Sequence, residues 1–145
     1  TRLGFGKTDI IQMLNGCIGG LVAITAEPLM PSPIAAILIG AVGGVIVVFG
    51  TKLLFSMKID DVVGAVPAHL FAGIWGTLAV PITNPDVSFG AQLLGVISIN
   101  AFVFIVSYIV WSIMKSTIGI RLSKEGELKG TDVTETGVIA YAIRD

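Results

Sequence analysis

The chain has 145 residues, of which 54% are hydrophobic and 13% charged, with a formal net charge of −1 and a mean hydropathy of +0.91. A soluble domain carries about 25% charged residues, so this composition excludes a water-soluble globule and points to an integral membrane protein. The near-neutral charge points to no nucleic-acid or acidic partner, and the lone Cys17, with no second cysteine to pair with, reads as a small packing residue in an apolar run.

The chain opens on Thr1 rather than methionine, and no basic n-region with a cleavage site precedes the first apolar run. It is therefore expected to be a piece of a longer protein. A membrane span needs about 20 apolar residues, and four segments qualify: roughly Ile10 to Ala26, Ile34 to Leu54, Val62 to Val80, and Phe89 to Ile113. The first is short and holds Gln12 and Asn15 near its start. The fourth runs on towards Ile118, longer than a bilayer needs, and should tilt or protrude. Breaks at Glu27–Pro33, Ser56–Asp61 and Pro81–Asp86 have the Pro, Asn and Asp content of turns. The expected fold is an all-α polytopic bundle, with residues 1–118 as its membrane region and 119–145 as a tail.

Charge sets the orientation. With four spans, Arg2, Lys7, Lys52, Lys58, Lys115, Arg121, Lys124, Lys129 and Arg144 all fall on one side, while the opposite loops carry only Glu27 and Asp86. The positive-inside rule places the basic side, with the C-terminus, in the cytoplasm. Three or five spans would scatter the positive charges. The tail is too polar to enter lipid. It reads either as a disordered end or as an ordered segment that docks on the cytoplasmic loops.

Small residues recur at helical spacing: Gly16, Gly19 and Gly20 in the first span, Gly40, Gly43 and Gly44 in the second, Ala72 and Gly76 in the third. Such pairs let backbones approach closely in lipid, so tight helix packing is expected, with a glycine-lined path the weaker alternative. The third span holds the only histidine, His69. An ionisable group inside a span is costly to hold and usually faces a partner helix or a water-lined path. Pro67 lacks the N–H that would bond the Val63 carbonyl, so a kink and an orphan carbonyl are expected one turn below His69. Asp61 lies at the helix start, where a carboxylate caps free N–H groups and suits the dipole. On a regular helix Asp61 would lie about 12 Å below His69, and Ala65 and Ala72 would share its face. Trp75 and Trp111 lie within their spans, and packing is the default reading of each.

These residues carry a family resemblance. The run from Asp60 and Asp61 through Pro67, Ala68, His69, Gly73, Trp75, Gly76 and Thr77 resembles the tenth transmembrane helix of ammonium transporters of the Amt/Mep/Rh superfamily, most nearly the bacterial Amt branch. Asn15 through Thr25 is similar to the start of the family's eighth helix. Gly119 through Gly130 and Asp132, followed by Glu135, Gly137, Ala140 and Tyr141, is similar to its cytoplasmic tail. Thr131 and Thr136 stand where many members have Leu and His, and the stretch Glu27–Pro33 departs from the usual loop.

The resemblance implies an eleven-helix fold of two inverted five-helix repeats plus a last helix, of which this chain supplies helices eight to eleven. It implies a homotrimer in the inner (plasma) membrane, serving nitrogen uptake, with one conduction path per subunit. In each path two histidines share a hydrogen bond across a narrow hydrophobic pore, and His69 matches the second of them. Asp61 matches the acidic residue at the start of that helix. Arg121, Gly130 and Asp132 fall in the regulatory tail, where a nitrogen-regulatory protein of the PII class is the implied partner.

The physical logic agrees. Moving bare ammonium through an apolar pore is very costly. Loss of a proton at the mouth yields ammonia, and a histidine can donate or accept a hydrogen bond along its path. Two readings compete: an ammonium sensor of the same fold, for which a fused output domain after Asp145 would be expected, and a truncated fragment that does not transport. A haem-bearing bundle would use a second histidine. No nucleophile–base pair, metal cluster or phosphate-binding loop is apparent, so no enzyme chemistry, cofactor or metal is expected.

Overall fold

The computed structural model describes residues 6, 8–29 and 32–139. Arg2, Lys7 and Arg144 of the charge argument, Met30 and Pro31 of the first loop, and Ala140 and Tyr141 of the tail lie outside the described residues. Among the described residues all regular structure is helical: α1 Ile10–Ile24, α2 Pro33–Ser56, a π-helical segment Val66–Phe71 that runs into α3 Ala72–Thr83, α4 Phe89–Thr117, α5 Lys124–Lys129, and a second π segment Asp132–Thr136. The all-α class expected of the sequence is the class observed.

Local chemistry sets the helix ends. Asp9 caps α1, its Oδ1 accepting from Gln12 N at 3.0 Å. The Thr25 hydroxyl turns back onto Val22 O at 2.7 Å at the other end. α1 therefore has 15 residues, or about 22 Å, where a bilayer core is about 30 Å thick. Three helices are long and apolar enough to cross a membrane, Pro33–Ser56, Val66–Thr83 and Phe89–Thr117, while Ile10–Ile24 is a shorter apolar helix. α2 begins with Ser32 as cap and Pro33 in its first turn, where the missing N–H has no intrahelical partner in any case.

Two compact units divide the chain, Thr1–Ile99 and Asn100–Asp145. In the first, α1, α2, the π segment and α3 pack against one another. The core is made of small side chains: Ala23, Ile39 and Ala79 with Ile24 and Trp75 against them, and Val47, Ala68 and Ala72 with Val22 against them. α1 and α2 run antiparallel through their glycines. A Cβ on Gly20 would stand 3.0 Å from Gly40 O, one on Gly44 3.1 Å from Gly16 O, and one on Gly43 2.8 Å from Gly19 O. The small-residue spacing is thus a packing device, the close approach that stands in for a hydrophobic drive in lipid. Trp75 donates its Nε1–H to Ile39 O at 3.0 Å, which ties α3 to α2 and satisfies the indole.

α4 has 29 residues and none is buried. Phe104 and Tyr108 stack along it, with ring centroids 6.4 Å apart. In the second unit the described residues of the tail form α5 and the second π segment. Ser123 caps α5 by accepting from Gly126 N at 3.1 Å. The Thr134 hydroxyl reaches Gly126 O at 3.2 Å and draws the second π segment against α5. Gly130 has φ +105°, and a Cβ there would stand 2.7 Å from Asp132 Oδ1, so this turn admits only glycine. The Arg121 Nε–H bonds Glu127 Oε1 at 2.8 Å. That hydrogen bond and the carboxylate charge raise the pKa of an already charged guanidinium, and an exposed pair of this kind adds little stability.

Candidate functional site

The helix that carries His69 starts later than its hydropathy suggests. Val62 to Gly64 form a turn, and helical backbone begins at Ala65. Asp61 makes the start: its Oδ1 accepts from Ala65 N and its Oδ2 from Val66 N, each at 2.9 Å. One carboxylate thus satisfies two of the N–H groups that a helix N-terminus leaves open. Pro67 then falls in the first turn rather than mid-helix. The expected kink inside a span is replaced by a helix beginning, and the expected rise from Asp61 to His69 along a helix does not apply.

The Val63 carbonyl is not an orphan either. Asn15 of α1 donates its Nδ2–H to Val63 O at 2.8 Å. The next residue, Gly64, has φ +72°, and a Cβ there would stand 2.3 Å from that same Nδ2. Glycine is therefore required twice over, for its left-handed backbone and for the room it leaves Asn15. Sequence reasoning placed Asn15 in the first span without a role. Its signal is the pair Gln12 and Asn15, three residues apart on one helix face and both buried in an otherwise apolar segment. Replacing Asn15 with alanine removes this bond, and because Val63 is itself exposed the loss is that of one hydrogen bond, about 0.5–1.5 kcal/mol. A lowered Tm of Asn15→Ala in detergent is expected, and an unchanged Tm would show that the contact is dispensable.

His69 lies in the π segment, where i→i+5 bonding adds a residue to the turn. Around it Pro67 and Ala68 are buried, and Ala72 is fully so, against Val47 and Ala68. His69 and Ala65 are exposed on the surface of the chain. This corrects the expected shared face: α-helical spacing groups Ala65, His69 and Ala72, but the wider turn sends Ala72 into the core. Among the described residues no hydrogen bond engages the imidazole. The backbone below is held firmly by Asp61, Asn15 and Gly64, while the ring itself stands outward.

Beneath this helix start, at the end of the bundle where α1 begins and α2 ends, lies a cavity of about 190 Å³ lined by Asp9, Gln12, Asn15, Thr51, Phe55, Asp61 and Gly64, among others. At the far end of the unit, Thr83 hydrogen-bonds Glu27 and joins α3 to the α1–α2 loop. Arg121, Gly130 and Asp132, expected to be regulatory, lie in the second unit with the geometry given above.

The profile of the Ammonium Transporter Family matches residues 1–141. The chain is 35% identical to "Ammonium transporter Amt2" of Archaeoglobus fulgidus, over 97% of this chain and 34% of that protein. It is 35% identical to "Ammonium transporter Amt1" of Haloferax mediterranei, over 94% of this chain and 27% of that protein. It is 32% identical to "Ammonium transporter Amt1" of Archaeoglobus fulgidus, over 94% of this chain and 38% of that protein. The chain spans about a third of the length of the curated relatives it matches.

Proposed function

We propose, from the premise that this chain belongs to the Ammonium Transporter Family, that it forms part of a membrane protein conducting ammonium or ammonia and that His69 faces the conduction path. The family is one of transporters, not enzymes. The observation that carries the reading is the outward stance of His69: the only histidine of the chain, on a rigidly capped helix start, exposed, and without a hydrogen bond among the described residues. A ring held this way is free to meet a group from the rest of a longer protein or a small solute passing it.

Bare ammonium is strongly disfavoured between apolar walls, whereas ammonia is not. A neutral imidazole has one nitrogen to donate and one to accept, which suits hand-over of ammonia or of a proton. Ala65, four positions before His69, is also exposed and is small. The whole protein is read as a homotrimer in the inner (plasma) membrane that serves nitrogen uptake. The Lys52–Asp61 side and the C-terminus are read as cytoplasmic, where a PII-type regulator would meet Arg121, Gly130 and Asp132.

The test is flux. The full-length protein that contains this chain, purified and reconstituted in liposomes, should move ammonium down its gradient and exclude potassium at equal concentration. Ammonium binding without flux would favour a sensor of the same fold, and neither binding nor flux would overturn the assignment.

A further inference from the structure

His69 stands at the end of a short series of contacts that begins on another helix. Asn15 of α1 is only 8% exposed, and its Nδ2–H bonds Val63 O at 2.8 Å. The peptide that follows leads into Gly64, whose φ of +72° turns the chain into the helix. Gly64 O then accepts from Ala68 N at 3.1 Å, and His69 is the next residue. Asp61 acts differently. It caps Ala65 N and Val66 N from inside the same turn, so it shapes the helix start but does not fix where that start sits against α1 and α2. The apolar side gives little direction. Pro67 and Phe71 lie against Gly50 of α2, and Ala68 and Ala72 against Val47. Apolar contacts of this kind are non-directional and permit a small slide or rotation.

A hydrogen bond demands distance and angle together, and Asn15 supplies one from 48 positions away. We infer that Asn15 is a positioning residue for His69: through the Val63 carbonyl and the Gly64 turn it sets where the imidazole stands relative to α1 and α2. Val63 is 65% exposed, so the bond adds little stability, and its main consequence is placement. An error of about 1 Å in placing a working group costs as much as about a hundredfold, and passage of a small solute along a ring depends on the same alignment. The inference rests on the reading that His69 faces the conduction path. It adds a residue on a different helix that acts through the ring without touching the solute.

The test is a double-mutant cycle in the full-length protein, reconstituted in liposomes. Asn15→Leu keeps a branched side chain and removes the donor, and Asn15→Ala takes its place if that variant does not fold. The substitution should lower ammonium flux on the order of tenfold in the parent protein. Where His69 is already alanine it should change flux by less than about twofold, because a residue that acts through the ring then has nothing to act on. Its effect on Tm should be the same in both backgrounds. Crystal structures of parent and variant give the second readout, a displacement of the His69 Cα relative to α1 and α2, which decides alone if His69→Ala abolishes flux. An equal fold-loss of flux in both backgrounds would overturn the inference. So would an unmoved His69, or flux that responds to His69→Ala but not to Asn15→Leu. A displaced His69 with flux indifferent to both substitutions leaves the placement standing and defeats the conduction reading instead.

Discussion

Gly76→Ala should cost the protein about 3 kcal/mol or more and lower its Tm by several degrees in detergent. A Cβ on Gly76 would stand 2.2 Å from Ala23 O and 2.8 Å from Ala23 C and Cα. All three are backbone atoms of α1, so no rotamer change can relieve the overlap, and one helix must move away from the other. Overpacking a tight core typically costs about 1–3 kcal/mol, and a backbone-on-backbone collision belongs at or beyond the upper end. Separation would also loosen neighbouring contacts, because Ala23 and Ala79 share one core cluster and Trp75 packs against it. Gly95→Ala is the control. It makes the same change within α4, where a Cβ meets nothing within 4 Å, and the better helix former should be neutral or gain up to about 1 kcal/mol. Equal Tm values for the two variants would show that the close approach of α3 and α1 contributes no stability.

His69→Ala in the full-length protein should leave folding intact and change conduction. The imidazole is exposed on this chain and hydrogen-bonds nothing among the described residues, so its removal opens no cavity and strands no partner here. If ammonia or a proton passes the ring, the variant loses a hydrogen bond worth about 1–1.5 kcal/mol along the path, which corresponds to roughly a tenfold change in rate. Ammonium flux into liposomes, with potassium as competitor, reads both the rate and the discrimination. An unchanged Tm with altered flux or selectivity is the expected pair of results. Unchanged flux and unchanged ammonium-over-potassium discrimination would remove His69 from the path. A lowered Tm would instead assign the ring a packing role.

The two substitutions separate two kinds of information. Composition and hydropathy were enough to name a helical membrane protein, because lipid leaves the backbone few other ways to satisfy its own polar groups. Glycine spacing announced close helix packing, and the same logic identified Asp61 as a helix-start residue. The family resemblance was legible because a run such as Asp60–Thr77 joins rare residues in a fixed order: an acidic pair, a proline, the lone histidine, a tryptophan and small residues.

Tertiary structure decided what local patterns cannot. Hydropathy carried the third span back to Val62, yet the carboxylate of Asp61, the left-handed Gly64 and the amide of Asn15, 48 positions away from Val63, hold Val62–Gly64 out of the helix. Pro67 therefore begins a helix instead of bending one. A regular spacing placed Ala72 beside His69, whereas the π segment turned it into the core against Val47 and Ala68. α1 ends at Ile24 although apolar character continues to Ala26, because the hydroxyl of Thr25 closes the helix. Gln12 shows the limit most plainly. In the sequence it is a polar residue near the start of an apolar run, and only the meeting of α1, the end of α2 and the Asp61 turn buries it at the edge of the cavity below the His69 helix. The sequence by itself determined the class of protein and which residues carry polarity and smallness, since these are properties of single side chains and their period. Which of those residues meet, and on which face, was decided by contacts between segments distant in the chain, which no local period encodes.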